Sequence, residues 1–264
     1  MSEFRPLYTA HAIEKCAVSV TFDSALPEKL YSKFVVDFTM ELEALELKRQ
    51  TGNQAFAFDS ASGRVINVAD DYGPATFVSH DGVNELFLVP NAVTFTTQRY
   101  VRWATFQNSF HAITASILAR YDSAVNLNSV RLEYWDRFIW TGEWSDLELE
   151  KLLRKDTEVL TQKIFAAQRE AHCHTGWFDY ADTERRLFNV NVDVLALGMP
   201  HNPTRLDPSV GIYILIQDQS DVENTKKFAG VNLMDRLEEL HVVSKKQMAS
   251  LLQPGIAKRI GLGG

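Results

Sequence analysis

The chain has 264 residues, of which 45% are hydrophobic, and its 34 acidic and 27 basic residues give a formal net charge of −7. This length and composition predict a folded protein with a sizeable core and exclude an intrinsically disordered one. The chain has no overall basic field to hold a nucleic-acid backbone, so nucleic acid is not an expected partner.

The N-terminal sequence MSEFRPLYTAHAIEK lacks the basic start and apolar run of a secretory signal. No stretch approaches the roughly 18 consecutive apolar residues of a membrane-spanning helix. We therefore expect a cytoplasmic protein with no membrane partner. Cys16 and Cys173 lie far apart in apolar-patterned segments, which predicts two reduced, buried thiols rather than a disulfide.

The first half of the chain begins with a predicted strand over residues 17–22, where Val18, Val20 and Phe22 alternate with smaller residues. Apolar residues then recur every three or four positions, which predicts a helix from about residue 28 to 48. Five short segments rich in β-branched and aromatic residues follow, separated by turn residues, and they predict an antiparallel meander. These segments are 54–59, 63–70, 75–82, 84–90 and 92–97.

A helical pattern returns over about residues 101–121, and a strand is predicted over residues 129–140. The segment 145–153 predicts a short helix, because Ser145 and Glu148 have the spacing of a capping box. Residues 158–173 fit a helix about as well as a strand, and we interpret them as a strand. The remaining elements are strands at 188–197 and 210–218 and a helix from about residue 224 to 252.

The order of these elements predicts an α+β fold with mostly antiparallel sheets covered by long amphipathic helices. Strands flanked by helices occur in both parts of the chain, which suggests two pseudo-repeated halves, 1–142 and 143–264. No linker rich in proline, glycine and serine separates them, so we expect a single globular unit over 1–264.

The segment 130–140, VRLEYWDRFIW, resembles the signature strand of an uncharacterised, sporadically distributed prokaryotic family. That signature reads leucine, arginine, tyrosine, isoleucine, asparagine, arginine; Leu132, Tyr134 and Arg137 match it, whereas Glu133 and Asp136 replace its arginine and asparagine. The segments HAIEKCAVSVTFD, LFLVPNAVTFTTQRYVRWATF and LEELHVVSKKQMASLL resemble the opening, middle and end of the same family. The resemblance implies a prokaryotic or phage context and, by association, a defence or mobile-element role, but no reaction.

The segment 170–180, EAHCHTGWFDY, is the most suggestive of chemistry, since no phosphate-binding loop, nucleophile elbow or HExxH motif occurs. On a strand His172 and His174 share one face, whereas Cys173 points to the other, and no third metal ligand is fixed by spacing. We therefore expect no metal and no cofactor. Gly176 and Trp177 are expected to mark the turn at the end of this strand.

The next strand places Asn189, Asn191 and Asp193 on one face. If residues 175–185 form a hairpin connection, this face lies beside His172 and His174, and Asp193 can orient a histidine as a base. Asn189 and Asn191 are then candidate ligand-binding residues. The alternative is a solvated sheet face without a binding role.

Arg131, Trp135 and Arg137 share one face of the signature strand, and this Arg-Trp-Arg row has the composition of a protein interface. The alternative is an ordinary strand with ion pairs. Asp136 falls among inward-facing apolar residues, and we expect it to accept hydrogen bonds from the backbone or from Arg137.

These features favour a non-enzymatic protein-interaction or regulatory component that binds a partner protein and can form homo-oligomers. The rival hypothesis is an enzyme or small-ligand-binding protein. Its site would be the polar sheet face around His172, His174, Asn191 and Asp193.

Overall fold

A computed structural model of the protein describes residues 2–50, 55–59, 64–68, 73–166, 169–181, 184–199, 202–220 and 232–262. The predicted start of the last helix, at residues 224–231, lies outside these ranges.

Antiparallel strands dominate the described part of the chain. The strands are β1 (Phe4–Pro6), β2 (Ile13–Phe22), β3 (Leu47–Arg49), β4 (Ala55–Asp59), β5 (Arg64–Val68), β6 (Ala75–Ser79), β7 (Asn84–Val89), β8 (Ala92–Thr97), β9 (Leu127–Trp140), β10 (Ala171–Ala181), β11 (Glu184–Met199) and β12 (Asn202–Ser220). The α-helices are α1 (Glu28–Glu43), α2 (Trp103–Asp122), α3 (Leu233–Leu251) and α4 (Pro254–Arg259).

The chain divides into two compact units. Of the described residues, the first unit takes 2–16, those from 131 to 220, and 232–262, and the second takes those from 17 to 130. The predicted single globular unit, with halves 1–142 and 143–264, stays a prediction. The α+β class and the antiparallel sheets are confirmed. The pseudo-repeat and the covering by long helices also stay predictions.

The first unit contains a sheet with the strand order β10-β11-β12-β9, and β1 also pairs with β9. Consecutive strands β10, β11 and β12 pair antiparallel along most of their length. One face of this sheet is apolar and includes the buried residues Val190 and Val192 of β11 and Ile212 and Ile214 of β12. Helix α3 contacts β12 and contributes the buried residue Leu240 to the core of this unit.

The second unit contains strands in the order β2-β8-β7-β6-β3, and β4 and β5 form a separate two-stranded sheet. The predicted meander is therefore confirmed in β6, β7 and β8. The core includes Phe38 of α1, Phe110 of α2 and Phe95 of β8. The buried residues of α1 and those of α2 recur mostly every three or four positions, which explains why both helices were visible in the sequence.

The first predicted helix ends five residues earlier than its apolar pattern suggested. Helix α1 stops at Glu43, and Glu46 takes a left-handed conformation with φ 63° before β3 begins. Leu45 belongs to the helical pattern but is 45% exposed. A predicted helix that continues to residue 48 is therefore wrong, because the chain reverses to pair β3 with β6.

In the middle of the chain, the short helix predicted at 145–153 is confirmed only in part, and the strand predicted at 158–170 is wrong. Residues 145–153 form two 3-10 helices, Trp144–Asp146 and Leu149–Lys151, and the Ser145 hydroxyl donates to Asp146 instead of capping an α-helix. Within 158–170, residues Gln162–Ala166 form a 3-10 helix, and the strand β10 begins only at Ala171.

The hairpin between β10 and β11 is longer than predicted. Gly176 and Trp177 do not end the strand, because Gly176 pairs with Asn189 and Trp177 with Phe188 in the middle of the hairpin. The rings of Trp177 and Phe188 stack with centroids 4.9 Å apart, which extends the pairing toward Ala181. Among the described residues, no helix is long and apolar enough to cross a membrane.

Candidate functional site

The face of the first unit's sheet opposite the apolar one is called here the polar face. Strict alternation places its side chains, because directly paired residues of neighbouring antiparallel strands point to the same side. The polar face includes His172, His174, Phe178 and Tyr180 of β10, Arg185, Leu187, Asn189, Asn191 and Asp193 of β11, Gly211, Tyr213 and Leu215 of β12, and Arg131, Glu133, Trp135 and Arg137 of β9.

The polar face brings His172 and Asp193 into direct contact. They are register partners, and His172 Nδ1 lies 2.6 Å from Asp193 Oδ1. An ionised carboxylate can only accept, so the ring donates through Nδ1–H. The side chains are 58% and 42% exposed, so this pair lies in contact with water rather than in a closed cavity.

His174 and the two asparagines extend this arrangement along the hairpin. His174 pairs with Asn191, and its ring centroid lies 6.5 Å from that of His172. Oδ1 of Asn189 and Oδ1 of Asn191 are buried and accept no hydrogen bond from a described residue. The structure therefore brings together the five predicted residues of β10 and β11 on one surface.

The same surface continues onto β9, so the two predicted sites share one face. Tyr213 pairs with Asn191 across β11 and β12, and its ring centroid lies 4.9 Å from that of Trp135. Gly211 pairs with Asp193, and a Cβ at Gly211 would lie 3.0 Å from Arg137 Nη1. A side chain at this position would therefore push the Arg137 guanidinium away by a few tenths of an ångström.

The row on β9 is half-buried and paired rather than freely exposed. Arg131 forms an ion pair with Glu133 at 3.2 Å, and Glu133 also accepts a hydrogen bond of 2.5 Å from the Tyr213 hydroxyl. This contact and burial raise the pKa of Tyr213 above its ordinary range, with burial the larger cause. Lys15 Nζ lies 4.8 Å from the Trp135 ring centroid.

Arg137, one of the two donors expected for Asp136, donates elsewhere. Its Nε and Nη2 donate to Glu14 at 3.2 and 3.1 Å, while its Nη1 is buried and donates to no described residue. Asp136 lies on the apolar side and is 5% exposed, and burial raises its pKa to about 8. The carboxyl group is therefore mostly protonated at neutral pH.

Other titratable groups lie with Asp136 on the apolar side of the sheet. The Tyr134 hydroxyl lies 2.8 Å from His241 Nδ1 on α3 and also hydrogen-bonds the thiol of Cys16. Burial raises the pKa of Cys16 well above its ordinary value and lowers that of His241 to about 4. A protonated Asp136 and a neutral His241 are compatible with an apolar core.

Cys173 cannot join His172 and His174 in a metal site, because the strand places its side chain on the opposite face. Cys173 is a buried free thiol on the apolar side, as is Cys16 on β2, so the prediction of two reduced cysteines is confirmed. Within the described part of the chain, no three His, Cys, Asp or Glu side chains are grouped so that they could hold a metal ion.

A charged cleft of about 210 Å³ lies on the first unit, and sequence reasoning missed it. Arg186 binds Asp218 through two hydrogen bonds of 2.6 and 2.9 Å, and Arg236 of α3 reaches the same carboxylate at 3.1 Å. Glu239 accepts from Arg186 at 2.8 Å, and this bond lowers the pKa of Glu239. The sequence contained one indication of this cluster. Alternation along β12 places Asp218 on the same side as the buried Ile214 and Ile216, and a buried carboxylate requires a partner.

Comparisons with known proteins do not assign the chain to a family. No model of a protein family matches the chain, and no curated protein was found that is similar to it.

Proposed function

We propose that the chain is a non-enzymatic protein-interaction component and that the polar face binds its partner protein. The observation that carries the proposal is the composition of this face, where tryptophan, tyrosine and arginine side chains lie side by side on rigid, hydrogen-bonded strands. Such residues dominate the binding energy of protein interfaces, and a paired sheet holds them with little loss of entropy on binding.

The ion pairs of the two arginines fit the proposed interface, and they fit a purely structural strand equally well. Arg131 and Arg137 are held by Glu133 and Glu14, so their guanidinium planes are oriented before a partner arrives. Arg137 keeps a buried Nη1 without a described acceptor. A carbonyl or carboxylate of a partner could take this position after a small movement of the side chain.

The test is affinity capture from the source organism with purified full-length variants. Trp135→Ala and Arg137→Ala should each weaken capture of the partner by about thirtyfold, the loss that corresponds to an interface hot spot. Met40→Ala is the matched control, because Met40 is 76% exposed on α1 of the second unit. Thermal unfolding of each variant checks that the fold is intact. Equal capture by all three variants would contradict the proposal.

The pair of His172 and Asp193 favours a second candidate function, an enzyme or small-ligand-binding protein. A histidine oriented by a carboxylate at 2.6 Å is the arrangement of a general base. Asn191 and Asn189 could then bind polar groups of the ligand. If the chain is such an enzyme, His172→Gln should abolish turnover of its substrate, and His174→Gln should retain it.

The biological setting is part of the first proposal and depends on the sequence resemblance alone. We propose membership of the sporadically distributed prokaryotic family, a cytoplasmic location and a defence or mobile-element context. The segment from Leu132 to Arg137 supports this assignment through three matching positions.

A further inference from the structure

The outer edge of β10 is unpaired within the described part of the chain. In the strand order β10-β11-β12-β9, β10 stands at the end, and β11 is its only strand neighbour. Apart from the ladder with β11, no backbone hydrogen bond joins residues 171–181 to another described segment. Half of the backbone N–H and C=O groups of this strand therefore point outward without a backbone partner among the described residues.

The edge also lacks several of the features with which proteins usually prevent strands from pairing; it carries one acidic residue, Asp179, and the contact of Thr175 with the Val159 carbonyl lies on the apolar side, which Thr175 shares with Cys173. Its sequence AHCHTGWFDYA contains no lysine and no proline, and its register with β11 runs without a bulge. Phe178 and Tyr180 are 41% and 71% exposed beside the edge. A long, regular and partly apolar edge of this kind is a template for a further strand.

The side chains of β10 are complementary to those of an inverted copy of the same strand. The first half of the strand carries His172 and His174 on the polar face, and the second half carries Phe178 and Tyr180. Antiparallel pairing about a two-fold axis at Gly176 would place His174 opposite Phe178 and His172 opposite Tyr180. Because the axis is perpendicular to the sheet, the polar faces of the two copies remain on the same side.

We propose that a second copy of this chain docks on the edge of β10, with the two strands antiparallel and centred on Gly176. The pairing joins the sheets of two first units and makes one continuous polar face from both copies. Gly176 suits the centre, because it adds no side chain where the two strands are related by the axis. This inference goes beyond the binding of a partner by the polar face and does not depend on it.

The experiment measures the mass of the full chain by sedimentation across the micromolar range, with two charge variants at the same positions. His174→Lys with Phe178→Lys places like charges opposite each other at both cross-strand pairs. His174→Glu with Phe178→Lys places opposite charges there. Within one copy the two positions are four residues apart on a strand and too distant to pair with each other.

The expected result is a wild-type dimer whose dissociation constant rises about tenfold or more in the double-lysine variant and recovers in the glutamate-lysine variant. A wild-type chain that is monomeric throughout this range would overturn the proposal. So would a dimer that both variants leave unchanged or weaken equally, since that dimer would use another surface or register.

A cysteine at the proposed axis tests the register directly. Gly176→Cys should form an intermolecular disulfide with oxidised glutathione, because the two introduced thiols face each other. A Cβ at Gly176 meets no atom closer than 3.4 Å, so the substitution fits the fold. Gly255→Cys on α4 is the control, since a Cβ there meets no atom within 4 Å and α4 is a separate element from β10. Equal cross-linking at both positions would contradict the centre at Gly176.

Discussion

His172 and Asp193 show how the sheet defines the chemistry of single residues. Each is exposed, yet the antiparallel register holds them opposite each other with Nδ1 and Oδ1 2.6 Å apart. Because the carboxylate can only accept, the neutral His172 ring should carry its proton on Nδ1, whereas His174 has no such acceptor fixed by register.

Nitrogen-15 NMR of the imidazole rings at alkaline pH measures this tautomer. We expect the Nδ1–H form to predominate in His172 and the Nε2–H form, usual for free imidazole rings, in His174. Asp193→Ala, which removes the acceptor, should shift His172 toward the Nε2–H form without changing His174. If His172 keeps the same tautomer in Asp193→Ala, the carboxylate does not orient the ring, and the case for a general base is lost.

The residue-level predictions succeeded where contacts follow from alternation and failed where they join distant segments. The parity of β10 and β11 was enough to place His172 beside Asp193 and Cys173 on the covered side. The partner of Arg137 was not predictable, because Glu14 lies 123 residues away in the sequence. The local pattern offered Asp136 as a partner, but the two side chains point to opposite faces.

At the level of elements, helix α3 is fixed to the sheet by the ion-pair cluster around Asp218. The Asp218 side chain is 2% exposed and accepts from Arg186 of β11 and Arg236 of α3. Removing the carboxylate would leave two partly buried guanidinium groups without their main acceptor. Truncation of one partner in a buried charge cluster typically costs about 3–5 kcal/mol.

Denaturation by urea should therefore show that Asp218→Ala loses about 3–5 kcal/mol of unfolding free energy. Glu239→Ala is the control, because Glu239 belongs to the same cluster but is 52% exposed, and it should cost about 1 kcal/mol or less. A loss for Asp218→Ala no larger than that for Glu239→Ala would show that the cluster does not fix the helix.

The elements that the sequence predicted correctly have a periodic pattern over their whole length. Strands β2, β9, β11 and β12 and helix α2 are of this kind. The segment 145–153 forms two 3-10 helices rather than a capped α-helix, because its leucines are held by tertiary contacts such as the bridge between Leu153 and Leu252, which a capping motif does not indicate. Near residue 160, the contact from the Thr175 hydroxyl to the Val159 carbonyl similarly depends on a strand that follows later in the chain.

At the scale of the whole molecule, two buried groups give the stability of the protein an unusual dependence on pH. Asp136 has a folded pKa of about 8, against about 4 in an unfolded chain, so folding binds a proton between these values. Stability therefore falls as the pH rises through this window. His241 acts in the opposite direction: its folded pKa is about 4, so stability falls as the pH decreases from about 6.5 toward 4.

The effects of Asp136 and His241 oppose each other below about pH 6.5. Above this pH, Asp136 is the one of the two that still titrates, and Cys16 contributes at higher pH. Each pKa unit corresponds to about 1.4 kcal/mol, so the unfolding free energy should decline by about 2 kcal/mol between pH 6.5 and 8. Asp136→Asn removes the titrating group and should abolish most of this decline. Asp122→Asn, which changes an exposed carboxylate at the end of α2, should retain it. Urea denaturation at a series of pH values measures these slopes, and an unchanged slope in Asp136→Asn would show that this aspartate is already ionised in the folded protein.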